Sequence, residues 1–200
     1  MDTFSAIAAR RSVKRYDSAH RLTKDEERTL FEAAILSPTS FNIQHWRFVT
    51  VKDPDLRQRI RDASWNQAQV TDASLLVLIC ADVQAWAKEP ERYWRHAPEA
   101  ARKAILPAIG GVYAGKDQLQ RDEAMRSVGL AGQTLMLAAK ALGYDSCPMI
   151  GFDPVKVGQL INLPDDHVIG LMVTIGKASE DARPRSGQLA LDEVLVTDRF

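Results

Sequence analysis

The sequence lacks several features that mark specialised protein classes. Only two cysteines occur in 200 residues, Cys80 and Cys147, and they show no CxxC spacing. A disulfide-stapled scaffold is therefore excluded, and two reduced thiols are expected. Eleven glycines and nine prolines are too few for a collagen-like or low-complexity chain. The composition predicts a folded globular protein with the length of about one domain.

No charge of one sign prevails, because 26 Lys and Arg balance 26 Asp and Glu. The chain therefore has no overall basic field that would attract nucleic acid or an anionic membrane. The longest apolar run, from Leu75 to Ala81, is far shorter than a membrane span, and the first residues lack the pattern of a secretory signal. We expect a cytoplasmic protein with no nucleic-acid or membrane partner.

Four segments carry the sequence signals of a helix start. The signals are an N-cap side chain, a capping box, or an aspartate followed by proline, at Asp2, at Thr23 with Glu26, at Asp53-Pro54 and at Asp153-Pro154. A long helix is expected from Arg121 to Leu142, and its second half is apolar nearly all round. Such a helix must lie against other structure.

Three segments predict strands. Trp46 to Val51 alternates in polarity, whereas Leu75 to Ala81 is apolar at every position and predicts a strand buried on both faces. Val168 to Ile175 predicts another buried strand. Since no internal repeat or flexible linker is visible, the sequence predicts a single α+β domain over residues 1–200.

The segment from 85 to 120 mixes aromatic residues, prolines and charges, so we expect helical pieces in a partly exposed insertion. Its aromatic side chains leave two interpretations open, stacking on a substrate or simple packing; they are Trp86, Tyr93, Trp94 and Tyr113. The apolar end of the chain, from Leu189 to Val196, needs a surface to cover, in its own domain or in a partner chain.

The chain shows no self-sufficient catalytic or metal-binding constellation. Gly110 to Gly115 follows no strand and has the wrong glycine spacing for a dinucleotide loop. The four histidines lack ligand spacing and are interpreted as surface or loop residues: His20, His45, His96 and His167. We therefore predict no metal site and no catalytic side chain, so that redox chemistry would require a cofactor.

A basic cluster follows the first helix. Arg10, Arg11, Ser12, Lys14 and Arg15 place four cations and a hydroxyl within six residues, a donor set that suits a phosphate group. A solvated basic face is an equal alternative on composition alone. Arg183 and Arg185, near the chain end, could supply further donors.

Several short motifs, in order along nearly the whole chain, resemble those of the FMN-dependent nitroreductase family. They are Arg10-Arg11-Ser12-Val13-Lys14, Ser37 to Gln44 with Trp46, Asp72-Ala73-Ser74, Gly129-Leu130-Ala131, Gly143, Gly151-Phe152-Asp153, and Ile175-Gly176 before an arginine-bearing tail. Each motif is modest alone, and their joint order and spacing carry the resemblance. Two positions depart from it: His45 stands where a proline is frequent, and Ile150 stands where some relatives carry a glutamate.

The resemblance implies a nitroreductase-like α+β fold with a mixed central sheet flanked by helices, in an interlocked homodimer that holds one FMN in each of two interfacial pockets. It implies hydride transfer from NADH or NADPH through FMN to nitroaromatic, quinone or similar acceptors by a ping-pong mechanism. A related flavoenzyme of different chemistry, reductive dehalogenation or flavin breakdown, and a non-catalytic FMN-binding protein remain alternatives.

The resemblance also implies roles for individual residues. Arg10, Ser12 and Arg185 would bind the FMN phosphate and ribityl chain, with Arg11 and Arg183 nearby, and Lys14 would reach the N1 and O2 edge of the ring. Asn66 and Gln69 would bind the pyrimidine edge. The partner subunit would contribute Pro38, Thr39, Ser40 and Asn42, and the ring near N5 would be lined by Pro148, Met149, Ile150 and Gly151.

Overall fold

Four strands form the sheet of the computed structural model, which describes residues 1–200. They are β1 (Trp46–Thr50), β2 (Leu75–Asp82), β3 (Asp145–Met149) and β4 (His167–Gly176), in the spatial order β1-β2-β4-β3. Every residue of β2 is buried, as its uninterrupted apolar run predicts. The predicted strands at 46–51 and 168–175 are also present, whereas β3 was not predicted.

The expectation of a mixed sheet is wrong for these four strands, because all three neighbouring pairs are antiparallel. The single parallel pairing is an isolated bridge between Ser12 and Ser146, where the Val13 N–H donates to the Ser146 carbonyl at 3.0 Å. The outer edge of β3 is thus met by the segment that follows the first helix. That contact is too short to count as a further strand.

The chain forms eight α-helices. They are α1 (Thr3–Ala9), α2 (Lys24–Ala34), α3 (Pro54–Asp62), α4 (Gln69–Asp72), α5 (Glu99–Tyr113), α6 (Asp117–Ala141), α7 (Pro154–Leu160) and α8 (Leu191–Val194). All four predicted starts are confirmed, since each capping side chain accepts a backbone N–H and Thr23 forms the complete capping box with Glu26. These caps satisfy N–H groups that a helix end otherwise leaves unbonded.

Alternate residues of β2 face two separate cores. Leu75, Val77 and Ile79 pack with α2 and α6 on one face, whereas Leu76 and Leu78 pack with α3 and α7 on the other. The period of two follows from the pleat of a strand. The two cysteines lie in the second core as free, buried thiols.

The long helix α6 is buried on one side only. Leu135 is fully buried, but Leu130 on the same helix keeps 46% of its surface exposed. The chain end is exposed as well, and Leu191 is 72% exposed. None of the helices combines the length and the apolar composition that crossing a membrane requires.

Candidate functional site

A cavity of about 460 Å³ opens beside the β3 edge of the sheet. Three separate segments line it, residues 12–15 after α1, residues 61–69 around the turn between α3 and α4, and residues 180–183 after β4. The lining residues are Ser12, Lys14, Arg15, Arg61, Asn66, Gln67, Ala68, Gln69, Glu180, Asp181, Ala182 and Arg183. Six residues singled out from the sequence meet here: Ser12, Lys14, Arg15, Asn66, Gln69 and Arg183.

The turn from Trp65 to Gln69 has a specific backbone shape. Trp65 and Asn66 both adopt left-handed φ angles, 53° and 54°, which is unfavourable for a bulky residue such as tryptophan. Arg61 stabilises the turn, because its Nε donates to Asn66 Oδ1 at 2.7 Å and its carbonyl accepts the Asn66 N–H at 3.0 Å. Arg61 was missed from the sequence, although it lies only five residues before Asn66.

A chain of amides links this turn to the end of β3. Gln69, which is 3% exposed, donates from Nε2 to Gln67 Oε1 at 3.0 Å. Gln67 in turn donates from Nε2 to the Gly151 carbonyl at 2.8 Å. These bonds fix the orientation of amide groups at the cavity wall.

The cavity is positively charged. Its lining holds four cationic side chains against two acidic ones, Glu180 and Asp181. The side chains of Lys14, Arg15 and Arg183 make no hydrogen bond or ion pair within the chain, in contrast to Arg61. Such donors remain available to an anionic ligand.

The arginines beside the cavity differ in their partners. Nη1 of Arg10 is buried without any hydrogen-bond partner. Arg11 donates to the Arg183 carbonyl, and Nη2 of Arg185 donates to the carbonyls of Ala8 and Arg10 at 3.3 and 3.1 Å. The arginine-bearing tail is therefore tied to the end of α1, next to the cavity.

Residues 148–151 adjoin the cavity without lining it directly. The Met149 side chain is buried in the core, while Ile150 is 80% exposed. Trp65, itself 76% exposed, lies against Gly151, where a Cβ atom would come within 2.6 Å of the indole ring. The sequence did not single out Trp65, because only its position after folding brings it to Gly151.

Cys147 lies close to this charged region but is not poised to react. Burial raises the pKa of its thiol, although the charges of Lys14 and Arg10 act in the opposite direction. A thiol kept protonated is a weak nucleophile.

The loop from Ser37 to Gln44 lies away from the cavity, since it leads into β1 at the opposite edge of the sheet. Of the four predicted loop residues, three carry hydrogen bonds within the chain. Thr39 Oγ1 accepts the Gln44 N–H at 3.0 Å, Ser40 Oγ accepts the Tyr113 hydroxyl at 2.8 Å, and Asn42 Nδ2 donates to the Tyr93 carbonyl at 2.9 Å. Pro38 is exposed beside them.

The aromatic residues of the insertion pack together, as one of the two interpretations predicts. Tyr113 is 1% exposed and its ring lies 6.2 Å from that of Trp86. Trp94 donates its indole N–H to the Phe41 carbonyl at 2.9 Å. We call this group the aromatic cluster; it comprises Ile43, Ala85, Ile109 and Tyr113 with Phe41, Trp86, Tyr93 and Trp94.

His45 is a loop residue, as the sequence interpretation allowed, but it does not lie at the surface, because the loop folds its ring against α6 with no exposed surface. Its Nδ1 lies 3.0 Å from Ser127 Oγ, and that hydroxyl donates to the Glu123 carbonyl. Since a hydroxyl has one proton, Nδ1 of His45 must be the donor. Burial lowers the pKa of His45 to about 4, with the nearby Asp82 acting against this shift.

Asp82, Asp166 and His167 bring three potential ligand atoms together, but Lys88 lies among them. Its Nζ is 2.7 Å from Asp82 Oδ2 and 2.5 Å from Asp166 Oδ2. The Lys88 hydrogen bond, followed by that of His167, lowers the pKa of Asp166 to about 2. The group is an ion-pair network that joins residue 88 to the start of β4.

The fold defines the class as an α+β protein, in which an antiparallel sheet lies between helices and a cationic cavity opens at one edge. Residues 7–177 match the model of the nitroreductase family, and the chain belongs to that family.

Among its relatives, the protein DrgA of Synechocystis sp. is 64% identical over 91% of this chain and 87% of its own length. MhqN of Bacillus subtilis, named as an NAD(P)H nitroreductase, is 32% identical over 94% of each chain. A solved structure from Exiguobacterium sibiricum, described as a nitroreductase in complex with FMN, has a TM-score of 0.90 and 28% identity over 98% of this chain and 97% of the other.

Proposed function

We infer that the protein is an FMN-dependent oxidoreductase that transfers a hydride from NADH or NADPH to nitroaromatic compounds, quinones or similar small acceptors. The cavity carries this inference, because it gathers Ser12, Lys14, Asn66 and Gln69 beside the buried, unpartnered Nη1 of Arg10. Guanidinium donors suit a phosphate, and amide groups suit the polar edge of a planar ring. The donor set therefore fits FMN, which supplies the hydride-transfer chemistry when bound.

The relatives support this reading of the cavity. MhqN is named for NAD(P)H, and the similar structure from E. sibiricum is described as holding FMN. The whole chain, residues 1–200, acts as one FMN-binding domain in this proposal. Its two free thiols agree with a cytoplasmic location.

The residues that line the cavity or lie beside it divide into two groups by the part of FMN that each would hold. Arginine and hydroxyl donors hold the phosphate and ribityl chain: Arg10, Arg11, Ser12, Arg183 and Arg185. Lys14 directs positive charge at the ring, and Asn66 and Gln69 bond its pyrimidine edge.

Pro148, Met149, Ile150 and Gly151 border the ring on the β3 side. Met149 contributes its backbone, since its side chain is buried in the core. Ile150 and the neighbouring Trp65 give this border an apolar surface that limits access of water. The donor and the acceptor use this one site in turn, which is the ping-pong order.

The proposal includes a homodimer in which Pro38, Thr39, Ser40 and Asn42 reach the partner's cavity. Exposed apolar side chains support it: on α1, Phe4 is 84% exposed, and at the end of α2, Leu36 is 82% exposed. Exposed apolar surface of this kind marks an interface. The loop from Ser37 to Gln44 lies away from the cavity of its own chain, so it can contact the cavity of the partner.

Flavin binding and dimerisation are then coupled. A ligand that contacts both chains binds the dimer more tightly, and each tenfold difference in affinity stabilises the dimer by roughly 1.4 kcal/mol per site. Sedimentation of the apo and FMN-loaded protein over a dilution series should show that FMN shifts the equilibrium to the dimer. A monomer that is fully loaded and reducible would contradict the shared site.

The direct test of the function is an anaerobic titration of the FMN-loaded protein. NADH or NADPH should bleach the yellow absorption band of oxidised flavin, and a nitroaromatic compound or a quinone should restore it. Steady-state rates at several acceptor concentrations should give parallel double-reciprocal lines. Bound flavin that neither donor reduces would instead identify a non-catalytic FMN-binding protein.

A further inference from the structure

A second pocket, of about 390 Å³, lies between the start of β1 and the turn at residues 90–95. Three of its six lining residues are arginines and none is acidic: Gln44, Trp46, Arg47, Arg92, Tyr93 and Arg95. We call it the arginine pocket. Three guanidinium groups that converge without a lining carboxylate repel one another unless an anion joins them.

Hydrogen bonds to the backbone hold the Arg47 side chain in place. Its Nη1 donates to the carbonyls of Gln44 and Trp46 at 3.1 and 2.8 Å. Its Nη2 is 3.7 Å from Asp82 Oδ2, an oxygen that already binds Lys88 at 2.7 Å. That carboxylate is therefore shared. Together with Glu89, whose charge also acts on Arg92, it offsets the positive charge of the pocket only in part.

Arg92 and Arg95 come from the opposite wall. Arg92 stacks on the Tyr93 ring, 4.7 Å from its centroid, and donates to the Tyr93 hydroxyl at 2.6 Å. Arg95 donates from Nε to His96, which leaves its terminal nitrogens without a partner in the chain. The Tyr93 ring lines the pocket beside these groups, whereas Trp46 borders it but is 5% exposed. Guanidinium forks suit a phosphate group.

We propose that the arginine pocket binds the phosphate groups of the nicotinamide dinucleotide donor. This rests on the proposed function, in which the flavin phosphate is held at the opposite edge of the sheet. NADH or NADPH is then the other phosphorylated reactant, and its phosphate groups require hydrogen-bond donors of their own.

The position of the pocket supports the proposal. Asn42 Nδ2 donates to the Tyr93 carbonyl and the Trp94 indole donates to the Phe41 carbonyl, both at 2.9 Å. The wall of the pocket and the loop that would enter the partner's cavity therefore form one rigid unit. The pocket of one subunit accordingly serves the flavin of the other.

The first test is equilibrium binding of adenosine 2′,5′-bisphosphate to the FMN-loaded protein. This probe carries both kinds of phosphate but no nicotinamide, so it cannot react. Arg92→Gln and Arg95→Gln should each weaken binding by about tenfold or more, and the double variant further, because each change removes a charge-assisted donor. Both side chains are exposed, so the fold should survive, which circular dichroism checks. Arg28→Gln, on the exposed face of α2, is the matched control and should bind as the parent does.

The second test is steady-state kinetics with both donors. The variants should raise KM for the donor while kcat and flavin content stay unchanged, since binding that is equal in ground and transition states affects KM alone. A rise for NADPH alone assigns the pocket to the 2′-phosphate, and an equal rise for NADH assigns it to the pyrophosphate. Either result supports the proposal.

Two outcomes would overturn it. The first is probe binding that is absent or unaffected by the substitutions. The second is a pocket that takes inorganic phosphate but leaves both KM values unchanged. Failure of the proposed function is distinguishable, because the probe does not react. Its binding can therefore also be measured on protein that holds no FMN, or whose FMN neither NADH nor NADPH reduces.

Discussion

The polar side chains at the two edges of the sheet differ in whether they have partners within the chain. Beside β3, the cationic side chains of Lys14, Arg15 and Arg183 have no partner in the chain. Beside β1, the Tyr113 hydroxyl and the Trp94 indole of the aromatic cluster both donate within the chain. Groups that satisfy one another stabilise the fold, whereas unpartnered donors gain their partner from a ligand. Substitutions in the aromatic cluster should therefore change stability, and those of the unpartnered cations beside β3 should change ligand binding.

The largest effect is expected in the aromatic cluster. Tyr113→Ala removes a fully buried ring and should lower the free energy of unfolding by about 3–5 kcal/mol, measured by urea denaturation. Tyr113→Phe keeps the ring and loses only the bond to Ser40, so it should cost about 1 kcal/mol. Equal costs for the two variants would show that packing does not stabilise this region.

His45, in the loop beside the aromatic cluster, should make the free energy of unfolding depend on pH. Because the pKa of His45 falls from 6.5 to about 4 in the folded protein, the unfolded chain binds more protons between these values. Stability is therefore intact above pH 6.5 and decreases by roughly 3 kcal/mol as the pH falls to 4. His45→Asn should flatten the unfolding free energy across this window. A parent protein that is equally stable at pH 7 and pH 4.5 would contradict a buried, neutral His45.

Much of the fold follows from local signals in the sequence, because caps and apolar runs act over a few residues. The sequence did not predict β3, because Pro148 lacks an N–H and proline argues against a strand. The strand tolerates Pro148 because β3 lies at an edge of the sheet. The sequence also does not determine which face of α6 is buried. Leu130 is 46% exposed and Leu142, just after the helix, is 42% exposed, because a helix that is apolar all round has no pattern that selects one face.

The candidate site was predictable only through the resemblance. Neither spacing nor composition brings Ser12 and Asn66 together, because more than fifty residues separate them and only the folded sheet edge unites them. The positions of Trp65 and Arg61 depend on a turn with left-handed φ angles, which tryptophan rarely adopts. The burial of His45 depends likewise on the path of its loop against α6.

At the cavity beside β3, Arg10→Ala should weaken the binding of FMN. Removal of a charge-assisted phosphate contact should weaken FMN binding by about 1.5–3 kcal/mol, or ten- to a hundredfold, measured by fluorescence titration of the apoprotein. The unfolding free energy of the apoprotein should change little, because Nη1 of Arg10 has no partner in the chain. Arg28→Ala, remote on α2, serves as the control for a general loss of positive charge. Unchanged affinity in Arg10→Ala would remove Arg10 from the phosphate site.

The smallest expected effect concerns Lys14, whose substitution should alter the reduction of FMN more than its binding. The ammonium group lines the cavity without a partner, and its charge already acts on the Cys147 thiol pKa. A cation that faces the flavin ring stabilises the negatively charged reduced form over the neutral oxidised one, by about 1 kcal/mol in a partly solvated site. Lys14→Met should therefore lower the midpoint potential of bound FMN, measured by anaerobic redox titration. Arg15→Met removes a neighbouring cation of the same cavity and should lower the potential less, because the proposal assigns the ring edge to Lys14. Equal potentials for Lys14→Met and the parent would show that Lys14 does not face the ring, while leaving the phosphate donors of the cavity in place.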